Sequence, residues 1–313
     1  MNSSAVTAPR PRDVGVIGLG AMGGGMARSL RRAGHKLHVF DVRPEVARAF
    51  VAEGGASCGS PAQLAPHCDV IVSVVVNAAQ TESVLFGEGG CAAAMKPGSV
   101  FVMCSTVDPG WSAALEQRLA QQGILYLDAP ISGGAARAEA GQITMMTAGR
   151  PEAYERCGSV LDAMAAKVYR LGDSAGAGSK VKVINQLLAG VHIAAAAEAM
   201  ALGLREGVDA AALYEVITHS AGNSWMFENR MAHVLAGDYT PLSAVDIFVK
   251  DLGIVLDVAR ASKFPLPLSS TAHQMFMQAS SAGHGREDDS AVIKIFPGIE
   301  LPGSSATEQG KTK

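Results

Sequence analysis

The chain has 313 residues, 48% hydrophobic and 18% charged, which is long enough for two domains with their own cores and too apolar for a disordered protein. A net charge of −3 gives no reason to expect nucleic acid or an anionic membrane as a partner. The five cysteines, Cys58, Cys68, Cys91, Cys104 and Cys157, form no CxxC pair and the eight histidines no ligand cluster, so reduced thiols in a cytoplasmic protein without a metal are expected.

Residues 1–12 are polar, with arginines and prolines and no apolar run, so they do not read as a secretory signal and are expected to be disordered. Residues 14–17 form a short apolar run, read as a buried strand. The turn Gly18-Leu19-Gly20-Ala21-Met22-Gly23 follows, and then a helix pattern with Met26, Leu30 and Ala33 on one face. A second strand, residues 37–40, ends at Asp41, 18 residues after Gly23. A G-x-G-x-x-G turn between strand and helix suits a dinucleotide. The first glycine makes the tight turn, the second admits the pyrophosphate to the helix N-terminus, and the third lets helix and strand pack closely. The acid can accept hydrogen bonds from the adenosine ribose.

Further strands are expected at residues 70–76, 99–103 and 124–127, with helices between them, including one over 109–121. This alternation predicts a doubly wound, mostly parallel sheet with helices on both faces. Ligands bind beyond the carboxyl ends of such strands, which puts Asn77, Thr106 and the loop after Asp128 on one rim with the glycine turn. That loop reads Asp128-Ala129-Pro130-Ile131-Ser132-Gly133-Gly134. Ser132 and two glycines ahead of a helix offer backbone N–H groups to an anion such as a carboxylate, or else Ser132 is a simple helix cap. Residues 142–148 and 167–171 could add strands, with a helix over 151–165 between them.

A glycine-rich loop, residues 172–178, then opens one long alanine-rich helix. Lys182 and Asn185 share a face of it, whereas Lys180 points elsewhere. A lysine beside an amide, on a segment joining two regions, suits proton transfer and substrate positioning. The stretch 186–204 is apolar enough to consider a membrane span, but it is mostly alanine and carries His192 and Glu198, so a buried helix is expected. Helices follow over 210–220, 225–236, 244–261 and 268–281, and a disordered tail over 301–313. Asp246, four residues before Lys250, suggests a surface ion pair. The expected division is a Rossmann domain over 13–173 and an all-helical domain over 174–300 for substrate and oligomerisation.

Four ordered blocks resemble the β-hydroxyacid dehydrogenases, the family of 3-hydroxyisobutyrate dehydrogenase and tartronate semialdehyde reductase. They are the turn at residues 18–23, the loop at 128–134, the run Gly176-x-Gly178-x-x-x-Lys182-x-x-Asn185-Gln186, and Phe248-Val249-Lys250-Asp251-Leu252. The likeness covers roughly residues 13–295. It implies that Lys182 is the acid/base, that Asn185 sits beside it on the substrate, and that Ser132, Gly133 and Gly134 hold the substrate carboxylate. It implies NAD as cofactor, held by Gly18, Leu19, Gly20, Ala21, Met22, Gly23 and Asp41, by backbone at Val75 and Val76, and by Thr106 and Lys250 on the nicotinamide half. Members often carry Leu-Pro where this chain has Val75-Val76, and NADP-preferring members Asn-Arg where it has Asp41-Val42-Arg43. A lysine in water keeps its proton to about pH 10, so the base role asks for desolvation or for positive charge such as that of Lys250 nearby.

Within the family, residues 185–193, 221–230 and 240–246 resemble the L-threonate dehydrogenases. The expectation is oxidation of L-threonate at C2, with Asn223, Ser224 and Asn229 available for its hydroxyls. A 3-hydroxyisobutyrate or tartronate semialdehyde oxidoreductase is the alternative enzyme. A non-catalytic dinucleotide-binding module is the alternative class, against which Lys182 and Asn185 argue. A small hydroxy acid is the expected partner, and the long apolar helix suggests a homodimer or homotetramer.

Overall fold

The computed structural model describes residues 12–303. The disorder expected for residues 1–12 and 301–313 falls outside these, except that the Arg12 carbonyl accepts from Lys36 N and Leu301 packs on an apolar core. The chain divides into two compact units, one ending at Lys182 and the other beginning at Val183.

The first unit opens with β1 (Asp13–Ile17), α1 (Ala21–Arg32), β2 (Lys36–Phe40), α2 (Pro44–Ala52), β3 (Ala56–Ser57), α3 (Pro61–Leu64) and β4 (Val70–Ser73). It continues through α4 (Ala78–Phe86), β5 (Val100–Met103), α5 (Pro109–Ala120) and β6 (Leu125–Asp128). The six strands pair in parallel in the order β3-β2-β1-β4-β5-β6, the doubly wound arrangement expected from the alternation. Alternate residues of each strand serve different cores. Val14, Val16, Val70, Val72, Val100 and Val102 face one apolar cluster, and Ile17, Ile71, Phe101 and Met103 face another. Burial on both faces explains why these strands read as continuous apolar runs. Local chemistry sets the helix starts: Asn77 accepts from Gln80 N (2.8 Å) to begin α4, and Asp108 accepts from Trp111 N (2.9 Å) with Pro109 at the first position of α5.

The strands expected near residues 142–148 and 167–171 do not extend this sheet. They are β8 (Ile143–Thr147) and β9 (Ala165–Arg170), and with β7 (Ile131–Ser132) they build a separate three-stranded sheet, antiparallel at β7–β8 and parallel at β8–β9. Between them lie α6 (Gly134–Ala140) and α7 (Pro151–Met164). Asp128 stitches the two sheets, exchanging backbone hydrogen bonds with Ala148 just beyond β8.

The long helix α8 runs Ala177–Arg205, so the division between units falls inside it. It is long and apolar enough to cross a membrane by length and composition, but 44% of its most apolar window is buried in the protein. The expectation of a buried helix is therefore met only in part, since Ile184, Leu188 and Leu202 are exposed. In the second unit it is joined by α9 (Ala210–Thr218), α10 (Trp225–Ala236), α11 (Val245–Ala261) and α12 (Pro267–Ala279) around Ile193, Met200, Phe227, Met231, Phe248, Leu252 and Phe276. A bidentate ion pair from Arg230 to the buried Asp289 braces this core, at 2.5 and 3.1 Å.

Candidate active site

The glycine turn has the form its residues require. Gly18 sits at φ +91°, and its N–H reaches Phe40 O at 2.9 Å, so β1 turns sharply beside the end of β2. A Cβ on Gly23 would run into the Gly18 carbonyl oxygen, whereas one on Gly20 would meet nothing within 4 Å. Close packing is thus confined to the first and third glycines, and open space lies over the second, beside Ala21 and Met22 at the free N–H groups of α1. Asp41, 8% exposed, accepts from Leu19 N (2.7 Å) and from Arg43 N and Nε (2.9 and 3.1 Å). Burial raises its pKa, but the Arg43 and Leu19 bonds outweigh that and hold the carboxyl below its ordinary value. An open glycine turn at a helix N-terminus, with an ionised carboxylate at the next strand end, fits the pyrophosphate and ribose of NAD.

The rim after β4 carries Val75 and Val76. The Val75 carbonyl accepts from Ser105 Oγ (2.7 Å) and Val76 N donates to Gln80 Oε1 (2.8 Å). These backbone groups already bind the rim together, and the Val76 side chain is 45% exposed. Thr106 is half-buried just beyond β5, next to Ser105.

In the loop after β6, Ser132 belongs to β7 and pairs with Thr144, so it is not the helix cap. The cap of α6 is Gly133, at φ +133°, with Gly134 at φ +77°. Two consecutive residues in the left-handed region leave bare backbone that side chains would strain.

The buried carboxylate of Asp128 stands where this loop leaves β6. Its Oδ2 accepts from Gly176 N (2.8 Å) and Ser179 N (2.9 Å), and its Oδ1 from Ser179 Oγ (2.7 Å). A residue 48 positions upstream thereby caps the start of α8. Burial raises the Asp128 pKa against these donors. A Cβ on Gly178 would run into the Met146 carbonyl oxygen, so the first turn of α8 lies flat against β8. Lys182, one turn further on, is buried with 7% exposure, and Lys180 is exposed, as their spacing predicted.

In the second unit, Asn185 Nδ2 donates to Gln186 Oε1 (2.9 Å), and Gln186 Nε2 donates to Asp251 Oδ2 (2.6 Å). Lys250 Nζ lies 2.5 Å from Asp251 Oδ1. The surface pair expected between Asp246 and Lys250 gives way to this contact, and Asp246 accepts from Ser280 Oγ (2.6 Å) instead. The polar groups expected to meet substrate hydroxyls lie at the start of α10 and within it. Ser224 is the N-cap of α10, Asn223 donates to Thr218 O, and Asn229 lines a cavity of about 440 Å³ with Tyr214, Trp225, Glu228 and His233. Sequence reasoning passed over Asp128, although it stood in a quoted motif, and over Asp251, whose partner Gln186 lies 65 residues away. Among the described residues no group of three or more His, Cys, Asp or Glu side chains is placed to hold a metal ion. All five cysteines are free thiols.

A Rossmann sheet with this glycine turn, followed by a helical unit, is the architecture of an NAD-dependent dehydrogenase. Residues 13–172 match the NAD binding domain of 6-phosphogluconate dehydrogenase, and residues 176–296 the domain described as NAD-binding of NADP-dependent 3-hydroxyisobutyrate dehydrogenase. The chain belongs to the 3-hydroxyisobutyrate dehydrogenase family. It is 70% identical to an L-threonate dehydrogenase of Cupriavidus necator, over 94% of this chain and 99% of that protein. It is 54% identical to the L-threonate dehydrogenase of Escherichia coli K12, over 94% and 97% of the two chains. A crystal structure of a 3-hydroxyisobutyrate dehydrogenase from Salmonella typhimurium superposes with a TM-score of 0.88 at 54% identity, over 91% of this chain and all of that one.

Proposed function

We propose that this enzyme oxidises L-threonate at C2 to the 2-oxo acid, as a step in the breakdown of four-carbon acid sugars. The observation that carries the catalytic reading is Lys182: a buried lysine on a helix whose first turn is fastened to the root of the 132–134 loop. In the proposed reaction Ser132 and the bare backbone at Gly133 and Gly134 hold the carboxylate. Asn185, one helical turn from Lys182, binds the substrate beside it. Lys182 in its neutral form takes the C2 hydroxyl proton as the C2–H bond breaks. Bound NAD supplies the hydride acceptor. Gly18, Leu19, Gly20, Ala21, Met22 and Gly23 bind its pyrophosphate and Asp41 its ribose, while Val75, Val76, Thr106 and Lys250 line the nicotinamide half. The substrate assignment draws support from the 70% identity with a protein named L-threonate dehydrogenase.

The test is NADH formation over a panel of three- and four-carbon hydroxy acids, with the product identified by mass spectrometry. L-threonate should be turned over fastest and yield a four-carbon 2-oxo acid. A three-carbon decarboxylated ketone would place attack at C3 instead. Lys182→Ala should lower kcat by roughly 10²–10⁴ and spare NAD binding, whereas Lys180→Ala should stay near the parent. One observation favours a second reading: the Salmonella typhimurium protein, 54% identical, is described as a 3-hydroxyisobutyrate dehydrogenase. Faster turnover of 3-hydroxyisobutyrate would select it. We also propose a homodimer or homotetramer, because Ile184, Leu188 and Leu202 leave apolar surface exposed along α8. Light scattering should report a multimer, and Leu188→Glu with Leu202→Glu should shift it towards the monomer.

A further inference from the structure

We infer that Asp251 is a positioning residue for this reaction, joining the two site motifs of the helical unit through one buried carboxylate. Its two oxygens serve two different partners. Oδ2 takes the Gln186 amide at 2.6 Å, and Gln186 in turn accepts from Asn185 at 2.9 Å. Oδ1 lies 2.5 Å from the Lys250 ammonium in an ion pair. Asp251 is 2% exposed and Gln186 is 8% exposed, while Asn185 and Lys250 are only half-buried. The order of burial runs from a fixed centre to two groups with a face towards solvent.

Chemistry favours a carboxylate at this centre. A carboxylate can orient an amide with one oxygen and pair with an ammonium through the other. With Nε2 held by Asp251, Gln186 must present Oε1 to Asn185. Asn185 then donates one Nδ2 hydrogen inwards and keeps its Oδ1 and remaining hydrogen for a ligand. A charge so deeply buried is costly unless it is paired, and both pairings here lead to residues of the proposed site. The inference rests on the proposed roles of Asn185 and Lys250. It adds that Asn185, on α8, is oriented from α11 through Gln186 and Asp251.

Asp251→Asn keeps the shape and removes the charge. Partners that orient a functional group are typically worth 10–100-fold, so kcat/KM for L-threonate should fall by roughly that factor. The fall should lie mainly in kcat, with the melting temperature close to the parent. Gln186→Leu should reproduce the part of the loss that passes through Asn185. Combining it with Asn185→Ala should cost little more than Asn185→Ala alone, because the two act in series. A purely structural Asp251 would lower the melting temperature and leave kcat of the folded fraction unchanged, which would overturn the inference. So would strictly additive effects of Gln186→Leu and Asn185→Ala. If Asp251→Asn does not fold, Gln186→Leu with Asn185→Ala carries the test alone. Should Asn185→Ala itself leave kcat and KM at parental values, the proposed site fails. If it lowers kcat while folded Asp251→Asn does not, only this inference fails.

Discussion

Asp41 spends both carboxylate oxygens within the protein, one on Leu19 N and one on Arg43, and still stands at the end of β2 beside the glycine turn. Its lowered pKa keeps it ionised at every pH above the ordinary carboxylate range. It should therefore repel a 2′-phosphate throughout the working range of the enzyme. The kcat/KM ratio for NAD over NADP should exceed one and stay flat between about pH 7.5 and pH 9, above the second pKa of a phosphate monoester at ~6. Asp41→Ser should narrow the ratio and also release Arg43, which can then meet the phosphate. A ratio that climbs with pH across this window would mean that some other group sets the preference.

At the scale of elements, the loop between β6 and α6 and the first turn of α8 share one anchor. Gly133→Val would force a β-branched residue into the left-handed region and bring a Cβ within about 3 Å of Arg137 Cδ. Substrate KM should rise while the NAD dissociation constant changes little, as steady-state kinetics and ligand titration would show. An unchanged KM in a folded variant would remove this loop from the site. Much of this architecture was legible beforehand, because strand periodicity, the glycine turn and the ends of α10 and α11 are written in contiguous residues. The second sheet was not legible. Its first strand has two residues, and its partners differ in direction, which no local pattern encodes. The side-chain links through Asp128 and Asp251 were equally hidden, since each joins residues tens of positions apart. Asp251 read as the neighbour of a surface lysine until Gln186 came to lie against it.

Across the whole molecule, the two units carry separate cores and are braced by different buried charges. In the helical unit, burial pushes the Asp289 carboxyl up to about 6 even with Arg230 beside it. A raised folded-state pKa means that the native protein binds the extra proton between about pH 4 and pH 6. Stability from this group is therefore greatest below that window and falls as pH rises through it. Arg230→Met should cost about 3–5 kcal/mol near pH 7.5, by leaving the carboxylate buried without its partner. The loss should shrink at pH 5, where Asp289 can accept a proton. Urea titrations at the two pH values would show this, and equal losses at both would mean that Asp289 is not the group responsible.

The cap that Asp128 places on α8 also bears on how the chain is made. Its donors, Gly176 and Ser179, are synthesised 48 and 51 residues after it. At ribosomal speeds of ~5–20 residues per second, Asp128 waits several seconds for them. Closing the carboxyl end of β6 during that interval would bury a charge with nothing to meet it. The nascent sheet must therefore keep that corner wet while the rest of it assembles. That corner then closes only with the segment that carries Gly176, Ser179 and, a few residues later, Lys182.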